Sequence, residues 1–195
     1  MAFIIRGISL SLTLLMFLGG PIAQARIFTP VGATKGLEAW VVPSVMLDSK
    51  GFLWVGSREG LFRYDGYEAQ AFLPQSGDVN AINDIDIRFV YEAVDGVIWV
   101  GTNTAGLERF DPATGKFRNF RHDLADPQSL IDNSINGIAE GPAGSLWVAT
   151  RKGLSRLDRS TGSFEHFRHD PEVQESLSNN WISVLHLGES GSLWI

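Results

Sequence analysis

The chain has 195 residues, and its 16 lysines and arginines against 22 aspartates and glutamates give a net charge of −6 at neutral pH. This acidic balance argues against nucleic acid or an anionic membrane surface as a partner, because both attract basic surfaces. The sequence contains no cysteine, which excludes disulfides, thiolate chemistry and cysteine-based zinc sites.

The first 25 residues have the pattern of a secretory signal peptide. Arg6 supplies the positive charge, residues 8–18 are mostly apolar, and Ala23-Gln24-Ala25 is a small-x-small cleavage site. We therefore expect cleavage between Ala25 and Arg26 and an exported, periplasmic protein. The alternative is an uncleaved N-terminal anchor, although the apolar run is shorter than the roughly 20 residues that span a bilayer.

A repeated phrase occupies the rest of the chain. Four tryptophans follow one another at intervals of 45, 48 and 47 residues, each three residues after a glycine, and a Gly-Leu pair follows each of the first three. A period of this length indicates a repeat architecture. The tryptophans are Trp54, Trp99, Trp147 and Trp194, and the later glycines are Gly60, Gly106 and Gly153.

The second repeat shows most clearly how one unit divides into strands. Asp95-Gly96 is a hairpin turn signal, and the residues after it are rich in β-branched and aromatic side chains. Turn residues at 103–106 and 111–115 delimit two further strands. Four strands are predicted, at 87–93, 97–102, 107–110 and 116–121. Phe117 and Phe120 cannot share one face of a regular strand, so either both faces are covered or a bulge intervenes.

Four antiparallel strands per repeat predict an all-β fold, a β-propeller of four-stranded blades. The tryptophan would fill the wedge between neighbouring sheets, and the repeated glycines would stand where a turn packs too closely for a Cβ atom. A β-solenoid is the rival, but its repeats are usually shorter than about 30 residues. The predicted propeller is incomplete, with three full blades and part of a fourth, at about 37–80, 81–132, 133–179 and 180–195.

These phrases resemble the two-component regulator propeller repeat family. The likeness is best at residues 95–111 and 177–195 and covers about residues 36–195. The sequence departs from the family pattern at Ala149, at Gly141-Pro142 and in the short Asp65-Gly66 turn. The resemblance implies the periplasmic sensor part of a bacterial membrane signalling protein. Its parent would be membrane-anchored and dimeric, with a histidine kinase or diguanylate cyclase output, and this chain would be an N-terminal fragment of it.

The turns after each second strand are the candidate ligand-binding residues. They vary between units on a constant framework, and they should emerge at one end of the blades together with the long connections 121–133 and 168–180. The alternative is that polar turns are simply solvated. An arginine there could hold the carboxylate of a small molecule, such as a sugar acid, in two parallel hydrogen bonds. The candidates are Arg58, Glu59, Asn103, Thr104, Arg151 and Lys152.

Other polar residues carry weaker functional signals. His122 and His169 occupy equivalent repeat positions, which favours a turn contact, while His166 and His169 should face opposite sides of a strand and His186 stands alone. Aspartates that recur at the turns favour caps over catalytic carboxylate pairs. We therefore predict no catalytic residue, metal site or cofactor in this chain.

Three functions remain open on the sequence. The first is the ligand-sensing input region of a transmembrane signalling protein, with an unknown small molecule, such as a sugar or sugar acid, as its partner. The second is part of a secreted propeller enzyme that acts on carbohydrate. The third is a protein-binding scaffold without a small ligand.

Overall fold

The computed structural model describes residues 41–188 and 190–195. The predicted signal peptide, with Ala25 and Arg26, lies outside these residues. The described part consists of fourteen strands and one short 3-10 turn, Pro142–Gly144. The strands are β1 (Ser44–Leu47), β2 (Leu53–Gly56), β3 (Leu61–Tyr64), β4 (Ala69–Phe72), β5 (Ile87–Glu92), β6 (Ile98–Thr102), β7 (Leu107–Asp111), β8 (Lys116–Phe120), β9 (Ile135–Glu140), β10 (Leu146–Thr150), β11 (Leu154–Leu157), β12 (Phe164–Phe167), β13 (His186–Leu187) and β14 (Leu193–Trp194).

The strands form four antiparallel sheets. Within each sheet, strands that are consecutive in sequence are paired with each other. Blades 1, 2 and 3 are the four-stranded sheets β1–β4, β5–β8 and β9–β12, and blade 4 is the two-stranded sheet β13–β14. Tight turns allow this arrangement. In the first hairpin of blade 2, Gly96 has φ of +77° and its N–H donates to the Ala93 carbonyl at 2.8 Å. The predicted all-β fold of four-stranded antiparallel blades is confirmed.

The first strands of successive blades lie side by side, as β1 with β5, β5 with β9, and β9 with β13. The sheets therefore spread from their first strands, which makes these the inner strands and β4, β8 and β12 the outer ones. Among the described residues, no helix is long and apolar enough to cross a membrane.

Aromatic side chains fill the seam between blades 1 and 2. Trp54 is 1% exposed, stacks on Phe72 of its own blade at 5.6 Å between ring centroids, and meets Phe110 of blade 2 edge-on at 5.5 Å. Phe117 of the outer strand β8 closes the cluster, 4.7 Å from Phe110. Edge-on and offset pairs are the favourable geometries for such rings, and their burial is a major source of inter-blade stability.

The seam between blades 2 and 3 repeats this design. Trp99, also 1% exposed, packs on Phe120 at 5.8 Å, and Phe120 meets Phe164 of blade 3 at 6.0 Å. Phe117 and Phe120 therefore face opposite seams, while the ladder between β7 and β8 remains regular. Of the two alternatives left by the sequence, coverage of both sheet faces is the one the structure shows.

The aromatic pattern continues into the seam between blades 3 and 4. Trp147 lies 5.4 Å from Phe167 and packs against the cluster that contains Ile182 and Leu185. The fourth tryptophan of the series, Trp194, is 67% exposed and so lies outside any seam of the described structure.

The connections that lead into blades 2 and 3 each cross over the blade that they enter. The carbonyl of Asn80 accepts the N–H of Phe117 on outer strand β8, and the carbonyl of Gln128 accepts that of Phe164 on β12, both at 2.8 Å. Farther along, Ile82 and Leu130 are buried in the seams. The connection thus occupies part of the outer strand edge and reduces its capacity to pair with another chain.

Candidate functional site

The turns after the second strands and the connections between blades emerge at one end of the sheets, which we call the loop face. It comprises the turns 57–60, 103–106 and 151–153 and the connections 73–86, 121–134 and 168–185. In each turn a glycine has positive φ, +147° at Gly60, +91° at Gly106 and +136° at Gly153. A Cβ atom at Gly60 would lie 2.6 Å from Leu73, so the turn packs closely against its surroundings.

In blade 1, the backbone of the turn is bound and its arginine side chain is exposed. The N–H of Arg58 donates to the Val41 carbonyl at 3.2 Å. Glu59 is half-buried, and its N–H donates to the Ser57 hydroxyl at 3.0 Å. The turn is therefore a fixed mount for the guanidinium of Arg58.

In blade 2, the turn is tied to the residues that lead into β5. Both the N–H and the hydroxyl of Thr104 donate to Asp84, at 2.8 and 2.7 Å. Burial alone would raise the pKa of Asp84, but the bonds from Thr104 and from the backbone of Asp86 outweigh it and hold the pKa below its usual value. Asn103 accepts a bond from Arg88 at 2.9 Å. The carboxylate of Asp84 therefore stays ionised and anchors the turn.

In blade 3, the turn presents two cations. The ammonium of Lys152 lies 3.7 Å from the carboxylate of Asp132. Asp132 is the residue of blade 3 that is equivalent to Asp84 in blade 2. The Lys152 side chain is 63% exposed, so this pair contributes little to stability. The guanidinium of Arg151 lies over the indole of Trp181, 5.6 Å from the ring centroid.

Sequence reasoning missed two further residues at the loop face. The ladders of blades 2 and 3 each shift register near the start of the inner strand, which leaves Arg88 and Asn136 as bulged residues. Arg88 donates to Asn103, while Asn136 donates to the carbonyl of Ile182 at 2.8 Å. Bulges re-aim side chains and are common beside binding sites. Arg88 and Asn136 are equivalent because each is the bulged residue of its inner strand. That equivalence depends on the pairing register of the inner strand, which the residue types alone do not reveal.

The six predicted residues thus share one end of the molecule, but the structure does not gather them into one cluster. Each turn contacts residues that precede the inner strand of its own blade, and the polar side chains are spread from blade to blade. Such an array suits a ligand that touches several blades through hydrogen bonds and cations. In the part of the chain that the structure describes, no group of three or more His, Asp or Glu side chains is placed to hold a metal ion.

Two of the histidines hold the connections, and a third bonds between two strands of blade 3. His122 and His169 bond through Nδ1 to the carbonyls of Leu130 and Leu177, at 2.7 and 2.6 Å, and their N–H groups donate to Asn133 and Asn180. His166 bonds to Ser155, and burial lowers its pKa. The bonds of His122 and His169 therefore shape the two connections in which they lie.

The aspartates at the turns serve as caps. Asp48 accepts N–H groups of Lys50 and Phe52, Asp111 accepts that of Ala113, and Asp158 accepts that of Ser160. The acids are therefore engaged in turns, as their repetition indicates.

One buried acid differs from these caps. Glu108 on β7 is 0% exposed, and one of its oxygens accepts three N–H bonds from Asn83 and Asn119. Burial nevertheless outweighs these bonds and raises the pKa of Glu108. Glu108 thus joins Asn119 of outer strand β8 to Asn83 of the connection, which makes it a structural group.

The opposite end of the blades carries a cleft of about 810 Å³ between blades 2 and 3. Arg159 lines it and pairs with Asp95 of blade 2 and Glu140 of its own blade. Arg156, which also lines it, pairs with Glu165. Both guanidinium groups are therefore already neutralised by carboxylates.

The sheets and seams define the chain as part of a β-propeller, and comparison with known proteins agrees. Residues 129–152 match the model of the two component regulator propeller family. The chain is 32% identical, with a TM-score of 0.75, to the extracellular domain of a hybrid two-component system protein from Bacteroides thetaiotaomicron. The match at residues 129–152 confirms the predicted resemblance to the two component regulator propeller repeat.

Other solved structures share the fold alone. Virginiamycin B lyase from Staphylococcus aureus is 18% identical, with a TM-score of 0.55 over 79% of this chain and 48% of the lyase. PorZ, a surface component of the type-IX secretion system of Porphyromonas gingivalis, is 19% identical, with a TM-score of 0.57 over 80% of this chain and 23% of PorZ. None of the curated proteins matches the chain.

This chain spans less than a quarter of the length of the extracellular domain from Bacteroides thetaiotaomicron. The match covers 85% of this chain but 23% of that one.

Proposed function

We propose that this chain is part of the exported sensing region of a bacterial transmembrane signalling protein, and that its loop face binds a small molecule such as a sugar or sugar acid. The observation that carries this proposal is the likeness to the extracellular domain of a hybrid two-component system, at 32% identity over 85% of the chain. The signal-peptide pattern of residues 1–25 is consistent with export.

The loop face supports the location of the ligand. Its turns are held by backbone and side-chain bonds, while Arg58, Arg151 and Lys152 keep exposed charges. Binding groups mounted on a rigid scaffold lose little conformational entropy when a ligand arrives. A ligand that touches turns of several blades would bias how those blades pack, and a membrane segment of the parent protein would transmit that bias to a kinase or cyclase output.

The proposal is tested in two steps. Fractionation of cells that produce the full chain should recover it in the periplasm, shortened at about residue 25. Thermal-shift titration of the purified chain with neutral sugars and sugar acids should then raise its melting temperature for at least one of them. The variants Arg58→Ala, Asn103→Ala and Arg151→Ala should weaken that response.

Lys116→Ala is the matched control, because Lys116 is an exposed residue at the opposite end of blade 2. Retention of the chain in the cytoplasm would contradict export. Responses that are unchanged in all three loop-face variants would remove the loop face as the binding site.

A further inference from the structure

The loop face carries an exposed tryptophan that the repeat does not require. Trp181 directly precedes the buried Ile182, and the equivalent residues before Ile87 and Ile135 are Asp86 and Ser134. The indole of Trp181 is 62% exposed. Since the same backbone position is built with a carboxylate or a hydroxyl elsewhere, packing of the blade does not explain an indole here.

The backbone that carries Trp181 is held on both sides. Its own N–H donates to the Asn179 side chain at 2.8 Å. The N–H of Ile182 donates to the Thr150 carbonyl at 3.1 Å, and the Ile182 carbonyl accepts the bond from the bulged Asn136. An indole on such a fixed mount offers a flat apolar surface that loses little freedom when a ligand covers it.

Arg151 stands beside this surface without an acidic partner. Its guanidinium lies 5.6 Å from the Trp181 ring centroid, and no carboxylate in the described part of the chain lies within ion-pair distance of it. By contrast, Arg88 and Arg159 are each paired with an acid. The Arg151 guanidinium therefore retains its capacity to bind a carboxylate through two parallel bonds.

We propose that Trp181 and Arg151 form one subsite of the loop face, which binds a ring-shaped ligand bearing a carboxylate. The ring would cover the indole, and the carboxylate would meet the guanidinium at its side. This inference rests on the proposed ligand-binding function and narrows it to one chemical class. Sugar acids and aromatic acids share that chemistry.

The test uses the full chain and isothermal titration with four probes: galacturonate and its neutral counterpart galactose, and benzoate and its neutral counterpart benzyl alcohol. The wild-type chain should bind one acid more tightly than its neutral counterpart, and the acid that does so identifies the source of the ligand. Arg151→Gln should abolish this preference, a loss of about tenfold for the acid, without changing the neutral probe. Trp181→Leu should weaken acid and neutral probe alike.

Arg118→Gln is the matched control, because Arg118 is an exposed arginine that lies 4.8 Å over Phe120, on outer strand β8 rather than at the loop face. It should bind as the wild type does. Thermal unfolding of each variant should match the wild type, since Arg151 and Trp181 are both exposed.

Three results would overturn the subsite: equal binding of acid and neutral probes by the wild type, no binding of any probe, or unchanged binding by Trp181→Leu and Arg151→Gln. The proposed function fails separately. If Asn103→Ala and Arg58→Ala abolish a thermal shift that both subsite variants retain, the loop face binds a ligand but this subsite does not.

Discussion

Glu140 of blade 3 accepts the backbone N–H of Val94 in blade 2 across the seam between them, at 2.7 Å. The same relationship joins Glu92 of blade 2 to Ser49 of blade 1, also at 2.7 Å. Each glutamate ends an inner strand, and each N–H lies in the first hairpin of the preceding blade. At both of these seams, a glutamate of the following blade thus satisfies a backbone donor in the first hairpin of the preceding blade.

The Glu140 bond predicts a stability difference between two substitutions. Glu140→Ala removes the bond to Val94 and also one partner of Arg159, whose side chain is 20% exposed. We expect a loss of about 1–2 kcal/mol in the free energy of unfolding, because the exposed Val94 N–H loses its bond and the largely buried Arg159 guanidinium loses one of its carboxylates. Glu92 bonds to Ser49 and, within the described residues, is not paired with an arginine, so Glu92→Ala should lower the free energy of unfolding by about 1 kcal/mol. Urea denaturation of the full chain measures both.

Glu172→Ala is the control for this pair, because Glu172 is exposed in a connection. Its effect should be negligible. A loss at Glu172 equal to that at Glu140 would mean that the bond across the seam contributes nothing specific.

Asp48 and Ala93 occupy equivalent turns but treat their tryptophans differently. Asp48 accepts the indole N–H of Trp54 at 2.8 Å, in addition to its turn bonds. At Ala93 there is no such acceptor, and the buried indole nitrogen of Trp99 has no hydrogen-bond partner. The two turns have the same backbone bonds, from Gly51 to Asp48 and from Gly96 to Ala93.

The substitutions Asp48→Ala and Ala93→Asp should therefore change the stability of the chain in opposite directions. Asp48→Ala leaves a buried indole N–H and two turn N–H groups without their acceptor, and should cost about 2 kcal/mol. Ala93→Asp should supply an acceptor to Trp99 and stabilise the chain by about 1 kcal/mol. The unfolding midpoints of both variants, followed by tryptophan fluorescence, decide the matter. Destabilisation by Ala93→Asp would show that the second turn has no room for the carboxylate.

Much of the fold follows from local sequence. The four strands predicted in the second repeat, at 87–93, 97–102, 107–110 and 116–121, differ from β5–β8 by one residue at most at each end. Asp-Gly and Pro-x-x-Gly turn chemistry and β-branched runs are local signals, and they repeat. The choice between the two explanations of Phe117 and Phe120 needed the neighbouring blades, because it depends on what covers each face of β8.

The candidate site was harder to predict. Arg58, Asn103 and Arg151 lie at the predicted end, because alternation of strand direction determines the end at which a turn emerges. Arg88 and Asn136 reach the same end through bulges, and a bulge is a property of pairing between two strands. Trp181 does not share the repeat position of the four periodic tryptophans. A tryptophan outside the period is a sequence signal for a role other than filling a seam.

Glu108 predicts a pH dependence of stability. Its pKa is raised in the folded chain, so the folded state binds the proton more tightly than the unfolded state does. The stability that this group contributes is fully present below the ordinary carboxyl pKa and is lost as pH rises through the raised value. Relative to Glu108→Gln, the wild type should therefore lose stability as pH increases from about 4 to 7, by at most about 1.4 kcal/mol per pH unit.

Urea denaturation of both proteins at several pH values measures the difference, in which titration of all other groups cancels. Glu172→Gln, at an exposed site, is the control for the Glu-to-Gln substitution itself. A flat difference for Glu108→Gln would mean that burial does not perturb its titration.

Gly101 and Ile135 set the distance between the inner parts of blades 2 and 3. A Cβ atom on Gly101 would lie 2.6 Å from the Ile135 Cγ2 atom, and Ile135 is 0% exposed. Gly101→Ala should therefore cost about 1–3 kcal/mol, because the seam has no space for a methyl group. Leucine lacks the Cγ2 branch, so Ile135→Leu combined with Gly101→Ala should cost less than the sum of the two single substitutions. A double-mutant cycle of unfolding free energies provides the measurement. Additive losses would show that the methyl group and the isoleucine branch do not collide.

In blade 3, alanine occupies the position equivalent to Gly101, as Ala149. Ala149→Gly should lower stability by about 1 kcal/mol, through the lost methyl group and the added backbone freedom alone.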